Sequence, residues 1–294
     1  MRNLFKNKTL IITGVGRSGS TILSKLIGSM KPTFTLFEPA LMKFMASFPY
    51  SNIFTRILFE DYFLNLVHGR GNMNPNDWSC MTNYESKDEI KARQDKLRRR
   101  SDALNYIADN NPWWIIKTLE FGHLMELAHT HFKGVHYIHI IRDGKQVVRS
   151  SLERGWYTNE FCNNDIVEQT YYDERVRVPH FIEDPHDRWC WPDWNPATRC
   201  ACAWRHLIIQ TNRYKKKNSQ TCFQFRYEDF IKDPEKYANY IARKFGLTIT
   251  TITAKHIDDI VKFDGKEKPP IDINLIEQPE REKFLKLNGK LGYS

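Results

Sequence analysis

Apolar positions along the chain fall into short runs separated by turn residues, and the runs alternate with segments of helical spacing. Leu10-Ile11-Ile12 precedes a turn over Thr13–Thr21, and Ile22-Leu23-Ser24-Lys25-Leu26-Ile27 continues as a helix. Further strands are predicted at Thr33–Phe37, Trp113–Thr118, His136–Ile141 and Thr221–Arg226. Helical periodicity holds from about 41 to 110, broken by the loop at 69–77, and a basic run at 91–100 reads as a solvated helix face or a surface for acidic partners. Asn195 and Pro196 form a cap and first-turn pair opening a helix over Ala197–Lys217, and a helix over Pro234–Phe245 is stopped by Gly246. The tail at 284–293 reads as a basic turn containing glycine. These elements predict an α/β fold: a P-loop-like, mostly parallel sheet of about five strands, with helices on both faces and a helical insertion, in a single domain over 1–294.

The segment from 155 to 194 breaks the alternation. It is aromatic, with Trp156, Tyr157, Phe161, Phe181, Trp189 and Trp191, and has little periodicity. Aromatic faces alternating with Arg175, Arg177, His180 and Asp187 suit sugar stacking and hydroxyl recognition, so the segment is assigned to acceptor binding, with a lid packed on its own core as the competing reading.

Composition narrows the class without choosing a ligand. Hydrophobic residues at 41% supply a sizeable core, which excludes a disordered tail. A formal charge of +9 suits polyanionic cofactors or acidic acceptors, and equally nucleic acid or anionic lipid. No long apolar stretch precedes the first strand, so neither a secretory signal nor a transmembrane segment is expected, and the expected location is cytoplasmic. Six cysteines in this length form no dense framework, and free thiols are expected. Cys190, Cys200 and Cys202 near His186 invite a zinc reading, but the spacing of a zinc ribbon is missing and no metal is expected. His136 and His139 belong to one strand at a three-residue step, which sends them to opposite faces in packing roles.

The chemistry concentrates in Thr13–Thr21. A glycine-rich turn between strand and helix aims backbone N–H groups and the positive end of a helix dipole at one spot, which makes a phosphate site. Gly14-x-Gly16-x-x-Gly19 fits a dinucleotide fingerprint, with Glu38 near the place of a ribose-binding acid. Gly14 to Thr21 also fits the nucleotide-triphosphatase loop, except that Ser20 stands where the phosphate-binding lysine belongs. A third feature is Arg17 inside the turn, followed by the hydroxyls of Ser18, Ser20 and Thr21. A guanidinium held there can neutralise charge at a reacting centre.

Gly-x-Gly-Arg-Ser-Gly-Ser-Thr after a first strand resembles the 5′-phosphosulfate loop of sulfotransferases that use 3′-phosphoadenosine 5′-phosphosulfate (PAPS). The resemblance extends to a second motif, a strand ending in an arginine with a serine eight residues on: Arg142 after His136–Ile141, then Ser150. It implies PAPS as co-substrate, with Gly16, Arg17, Ser18, Gly19, Ser20 and Thr21 on the 5′ side, Arg142 and Ser150 on the 3′-phosphate, and Tyr227 near the adenine. It also implies that Arg17 and Lys117 hold the sulfonate and that Glu38, in the Glu-Pro of the carbohydrate-type branch, takes the acceptor's proton. A strand-end carboxylate capping the next helix is the other reading of Glu38.

The sequence departs from the pattern of the family's small-molecule branch at three places. Leu119 replaces a histidine base, Ile22 replaces a tryptophan after the first loop, and no Arg-Lys-Gly closes the 3′-phosphate site, where Lys286 or Lys290 is a candidate substitute. The absent histidine shifts the implied acceptor toward a glycan, glycolipid or related hydroxyl. Nucleic acid is not implied. A magnesium-dependent phosphotransferase and a non-catalytic binder of anionic polymers remain the alternatives, and the resemblance covers the two cofactor loops better than the middle of the chain.

Overall fold

The computed structural model describes residues 8–39, 42, 87–97, 99–132, 134–163, 169–171, 175–262 and 269–293. Its strands are β1 (Thr9–Thr13), β2 (Thr33–Phe37), β3 (Trp113–Lys117), β4 (His136–Ile141), β5 (Gln169–Tyr171), β6 (Val178–Pro179) and β7 (Cys222–Arg226). The helices are α1 (Ser20–Gly28), α2 (Lys87–Lys96), α3 (Arg100–Asn110), α4 (Met125–His131), α5 (Gly144–Leu152), α6 (Asn159–Asn163), α7 (Pro185–Cys190), α8 (Pro196–Lys217), α9 (Tyr227–Lys232), α10 (Pro234–Phe245), α11 (Thr251–Val261) and α12 (Glu280–Lys290).

Five strands form one parallel sheet in the order β2-β3-β1-β4-β7, while β5 and β6 make a small antiparallel pair. Strand residues alternate between two buried faces. Leu10, Ile12, Ile115, Ile138 and Ile140 pack beneath α1, α9 and α10, while Ile11, Trp114, Ile116 and Tyr137 pack against α3 and α4. A third apolar cluster joins α5, α8 and α12 to the aromatic segment. His136 packs edge-on to Trp113 and Phe245, whereas His139 is buried beside Gln224 on the other face, as the three-residue step requires.

Local signals agree with the folded elements where they are strong. Asn195 Oδ1 accepts from Thr198 N (2.9 Å) at the start of α8, and Gly246 closes α10 in the left-handed conformation at φ 63°. The expected helical insertion is helical at α2 and α3, the exposed residues of α2 carrying part of the basic run; 43–86 lie outside the described residues.

Two expectations change. The tail is a helix, α12, running through Gly289, because burial of Phe284 and Asn288 against the domain outweighs the roughly 1 kcal/mol helix penalty of glycine. In the aromatic segment Tyr157, Phe181 and Trp191 are buried core, so the packed-lid reading describes those three rings.

Candidate active site

Parallel pairing puts the chemistry-bearing residues at one edge of the sheet. Phe37 and Ile12 both pair with Lys117 of β3, and Ile141 pairs with Arg226. The next residues out, Glu38 after β2, Arg142 after β4 and Tyr227 after β7, therefore surround the turn that follows β1. This is the carboxyl edge, where open parallel sheets place their ligands.

The turn is shaped by its neighbours. Gly19 sits at φ 91°, and a Cβ there would fall 2.3 Å from the Tyr227 ring, so this position needs glycine for both conformation and space. Arg17 adopts φ 72°, a left-handed backbone that is costly for a residue with a Cβ. That turn delivers its exposed side chain toward the second motif: Arg17 Nε donates to Ser150 Oγ at 3.0 Å, and Arg142 Nη1 donates to the Arg17 carbonyl at 3.2 Å. The Arg142 guanidinium lies 4.5 Å from the centre of the Tyr227 ring. Arg17, Arg142, Ser150 and Tyr227 thus form one group although the sequence separates them by up to 210 positions. Burial, with the charges of Arg154 and Arg142, lowers the Arg17 pKa, which eases when an anion arrives.

Ser18 and Ser20 are buried in the turn, and Ser18 Oγ has no hydrogen-bond partner among the described residues. A buried hydroxyl without a partner is costly, and a ligand oxygen against the turn would supply one.

On the other flank, the Lys117 ammonium contacts the Glu38 carboxylate and lies 4.4 Å above the Phe37 ring. The lysine side chain is almost fully buried, whereas that of Glu38 is 42% exposed. Burial first, then the Arg17 charge, pushes the Lys117 pKa down to about 7, with Glu120 opposing. Near neutral pH this ammonium is close to losing its proton, so an anion placed beside it gains a large differential interaction. Glu38 N donates to the Lys117 carbonyl (2.7 Å), which extends the β2–β3 pairing by one step before the chain turns at φ 47°.

Sequence reasoning missed Glu120, Asn288 and Tyr293 here, and named Trp156 only as one ring of the aromatic segment. Trp156 lies directly over Gly16, and Glu120 donates its N–H to the Gly14 carbonyl (3.1 Å) while its carboxylate accepts from Tyr157 Oη (2.7 Å). Asn288 of the C-terminal helix bonds Asp143 in the second motif, and Tyr293 of the tail bonds Glu228, which in turn accepts from Asp143 N. Glu120 had a usable signal, an acid three residues past the strand-end lysine, and Trp156 had its place in the aromatic segment; Asn288 and Tyr293 had none. Lys286 and Lys290, the candidate closers of the 3′-phosphate site, lie exposed on α12.

Of the four residues weighed for zinc, Cys190 and His186 lie together, Sγ 3.8 Å from Nε2, and Cys202 borders a buried ion network. Asp187 is fully buried and accepts from Arg205 Nη2 (2.5 Å), His206 Nε2 (2.8 Å) and Lys283 Nζ (2.9 Å), and Arg205 also bonds Glu280. Asp187, Cys202 and His206, and separately Asp184, His186 and Asp187, lie close enough to share a cation, but the lysine and arginine already compensate the buried carboxylate. Cys200 sits apart, directed at the Trp156 carbonyl (3.7 Å). Among the described residues no helix is long and apolar enough to cross a membrane.

The model of the sulfotransferase family matches residues 9–251. No curated protein sequence matches the chain. Among solved structures the fold is similar to the sulfotransferase domain of an olefin synthase from Synechococcus PCC 7002, at 16% identity and TM-score 0.53, covering 98% of this chain and 96% of that one. It is also similar to the sulfotransferase domain from the curacin biosynthetic pathway, at 13% identity and TM-score 0.55 with 98% of each chain covered. A sulfotransferase from Mycobacterium avium aligns over 99% of this chain and 78% of its own, at 11% identity and TM-score 0.50. With its glycine turn, strand-end lysine and parallel sheet inside the matched span, the chain belongs to the sulfotransferase family.

Proposed function

We propose that the protein moves a sulfonate from PAPS to a hydroxyl of a carbohydrate or glycoconjugate, acting as a single domain over 1–294. The observation that carries this reading is the contact of Arg17 with both halves of the second motif, Ser150 at 3.0 Å and Arg142 at 3.2 Å. Two anion sites that touch suit a ligand with charged groups on both sides of one ribose. A ligand with a single phosphate chain does not call for the second. The unpartnered Ser18 hydroxyl and the stack of Arg142 on Tyr227 fit the same ligand, the first through a phosphate oxygen and the second beside its base.

In this scheme the turn N–H groups and the hydroxyls of Ser18, Ser20 and Thr21 bind the 5′-phosphate side, and Arg17 with Lys117 neutralises the sulfonate and the bridging oxygen. Arg142 and Ser150 bind the 3′-phosphate. The acceptor oxygen attacks sulfur in line with the departing nucleotide, a new S–O bond forms, and the bridging S–O bond breaks with its electron pair leaving on adenosine 3′,5′-bisphosphate. The acceptor proton passes to Glu38, whose exposed side chain at the mouth of the site and whose contact with Lys117 suit that role. Transfer through a loose transition state depends on positioning and charge neutralisation, and none of these steps uses a metal.

The glycan assignment rests on Glu38-Pro39 at the strand end together with Leu119 two residues past Lys117, which leaves the carboxylate as the nearby base. A cytoplasmic setting suits the five described cysteines, which are unpaired. The test is ligand-induced thermal stabilisation: adenosine 3′,5′-bisphosphate raises the melting temperature, while ATP, NAD and sulfate at equal concentration do not. Stabilisation by magnesium-ATP instead would favour the phosphotransferase reading and reject this one.

A further inference from the structure

The strand-to-helix turn Arg142-Asp143-Gly144 carries the second motif, because Arg142 directly follows β4 and Gly144 opens α5, on which Ser150 rides nearly two turns later. Each backbone N–H at its start is held by a side chain. Asp143 N donates to Glu228 Oε1 (3.0 Å), Gly144 N to Asn288 Oδ1 (2.9 Å) and Lys145 N to Asp143 Oδ1 (3.0 Å). Asn288 Nδ2 returns a bond to Asp143 Oδ1 (3.0 Å), so one buried amide grips both the cap residue and the first residue of the helix. Glu228 is held in turn by Tyr293 Oη (2.9 Å), whose ring lies 4.3 Å beneath the Arg226 guanidinium.

The turn is also moulded to α12 by shape. A Cβ on Gly144 would fall 2.8 Å from the Phe284 ring, so α12 approaches the backbone as closely as glycine allows. A hydrogen-bond network and a steric fit therefore fix α5 from outside the nucleotide loops, through residues after position 280. α12 itself is anchored at its other end by Glu280 and Lys283 in the Asp187–Arg205 network.

We propose that Asn288 and Tyr293, through Asp143, Gly144 and Glu228, are positioning residues for the 3′-phosphate site and set the affinity for a 3′-phosphorylated adenosine nucleotide. This rests on the PAPS reading above. Neither residue touches the ligand in this scheme. Their effect passes through the aim of Arg142 and Ser150, and Glu228 follows directly on Tyr227, over whose ring Arg142 lies.

The experiment compares binding of adenosine 3′,5′-bisphosphate and adenosine 5′-monophosphate by titration calorimetry to the wild type, Asn288→Ala and Tyr293→Phe. Tyr293→Phe removes one hydroxyl and keeps the ring, so it serves even where Asn288→Ala does not fold. The expected result is a loss of about tenfold in bisphosphate affinity for Asn288→Ala and about threefold for Tyr293→Phe, with the monophosphate changed less than twofold. A raised KM for PAPS with kcat retained accompanies it. Unchanged bisphosphate affinity, or equal weakening of both nucleotides, overturns the inference. A wild type that binds both nucleotides equally overturns the PAPS reading first and the inference with it.

Discussion

Replacing Lys117 by methionine separates catalysis from stability, because the two respond with opposite sign. The ammonium is nearly fully buried at the end of β3, and its pKa falls from 10.5 to about 7, with burial the leading cause. At about 1.36 kcal/mol per pH unit the drop corresponds to a ceiling of about 5 kcal/mol against folding when the lysine is charged. Glu38 returns part of this through its contact, and because its side chain is 42% exposed it rehydrates once the partner is gone. Methionine fills a similar volume without charge, so Lys117→Met is expected to stabilise the fold by on the order of 2 kcal/mol near pH 7, a few degrees in melting temperature. Turnover is expected to fall at least a hundredfold, since a cation at the transferring group is worth about 3 kcal/mol.

The pH dependence gives a third readout. A lysine whose folded pKa lies below its unfolded value leaves the folded state with fewer bound protons, so wild-type stability from this group rises between about pH 7 and 10.5. The advantage of the methionine variant must therefore shrink across that window. Calorimetric unfolding at pH 7 and pH 9, beside an initial-rate assay, checks all three outcomes. A variant less stable than wild type at pH 7, or one that keeps its turnover, refutes the reasoning.

Arg17→Ala should lower kcat/KM by about a hundredfold or more, from loss of a transition-state cation, and unchanged turnover in a steady-state assay would remove Arg17 from the chemistry. Gly19→Ala meets both the left-handed backbone and the Tyr227 ring, so it should cost about 2 kcal/mol or more in denaturant unfolding and weaken nucleotide binding. Asp187→Asn takes the buried carboxylate from His206 and Lys283, leaves Arg205 with Glu280 alone, and should destabilise by about 3–5 kcal/mol. The Asp187 pKa is held well below the usual carboxylate range by hydrogen bonds from His206, Arg205 and Lys283 against the opposing effect of burial. Its stabilisation is therefore present above about pH 4 and lost as acid protonates the carboxylate, so the variant and the wild type should converge in urea unfolding at low pH.

The sequence by itself determined the sheet's strands, the glycine turn after the first of them and the arginine–serine spacing after the fourth. β2 and β4 appear with the bounds their apolar runs predict, and α8 and α10 are announced by Asn195, Pro196 and Gly246, because backbone preference and capping act over a few residues. The glycine turn was legible for the same reason. The sequence did not determine which motif residues meet, because strand order and parallel register, not spacing along the chain, bring Arg17 to Ser150 and Glu38 to Lys117. Tertiary packing also made core of Tyr157, Phe181 and Trp191, which by composition suited a sugar surface equally well, and made a helix of the tail despite Gly289. Asn288 shows the limit: a buried amide bonded to Asp143 and Gly144 reads in the sequence as one polar residue in a basic tail, because its partners lie 145 and 144 positions away and only the docking of α12 creates the bonds.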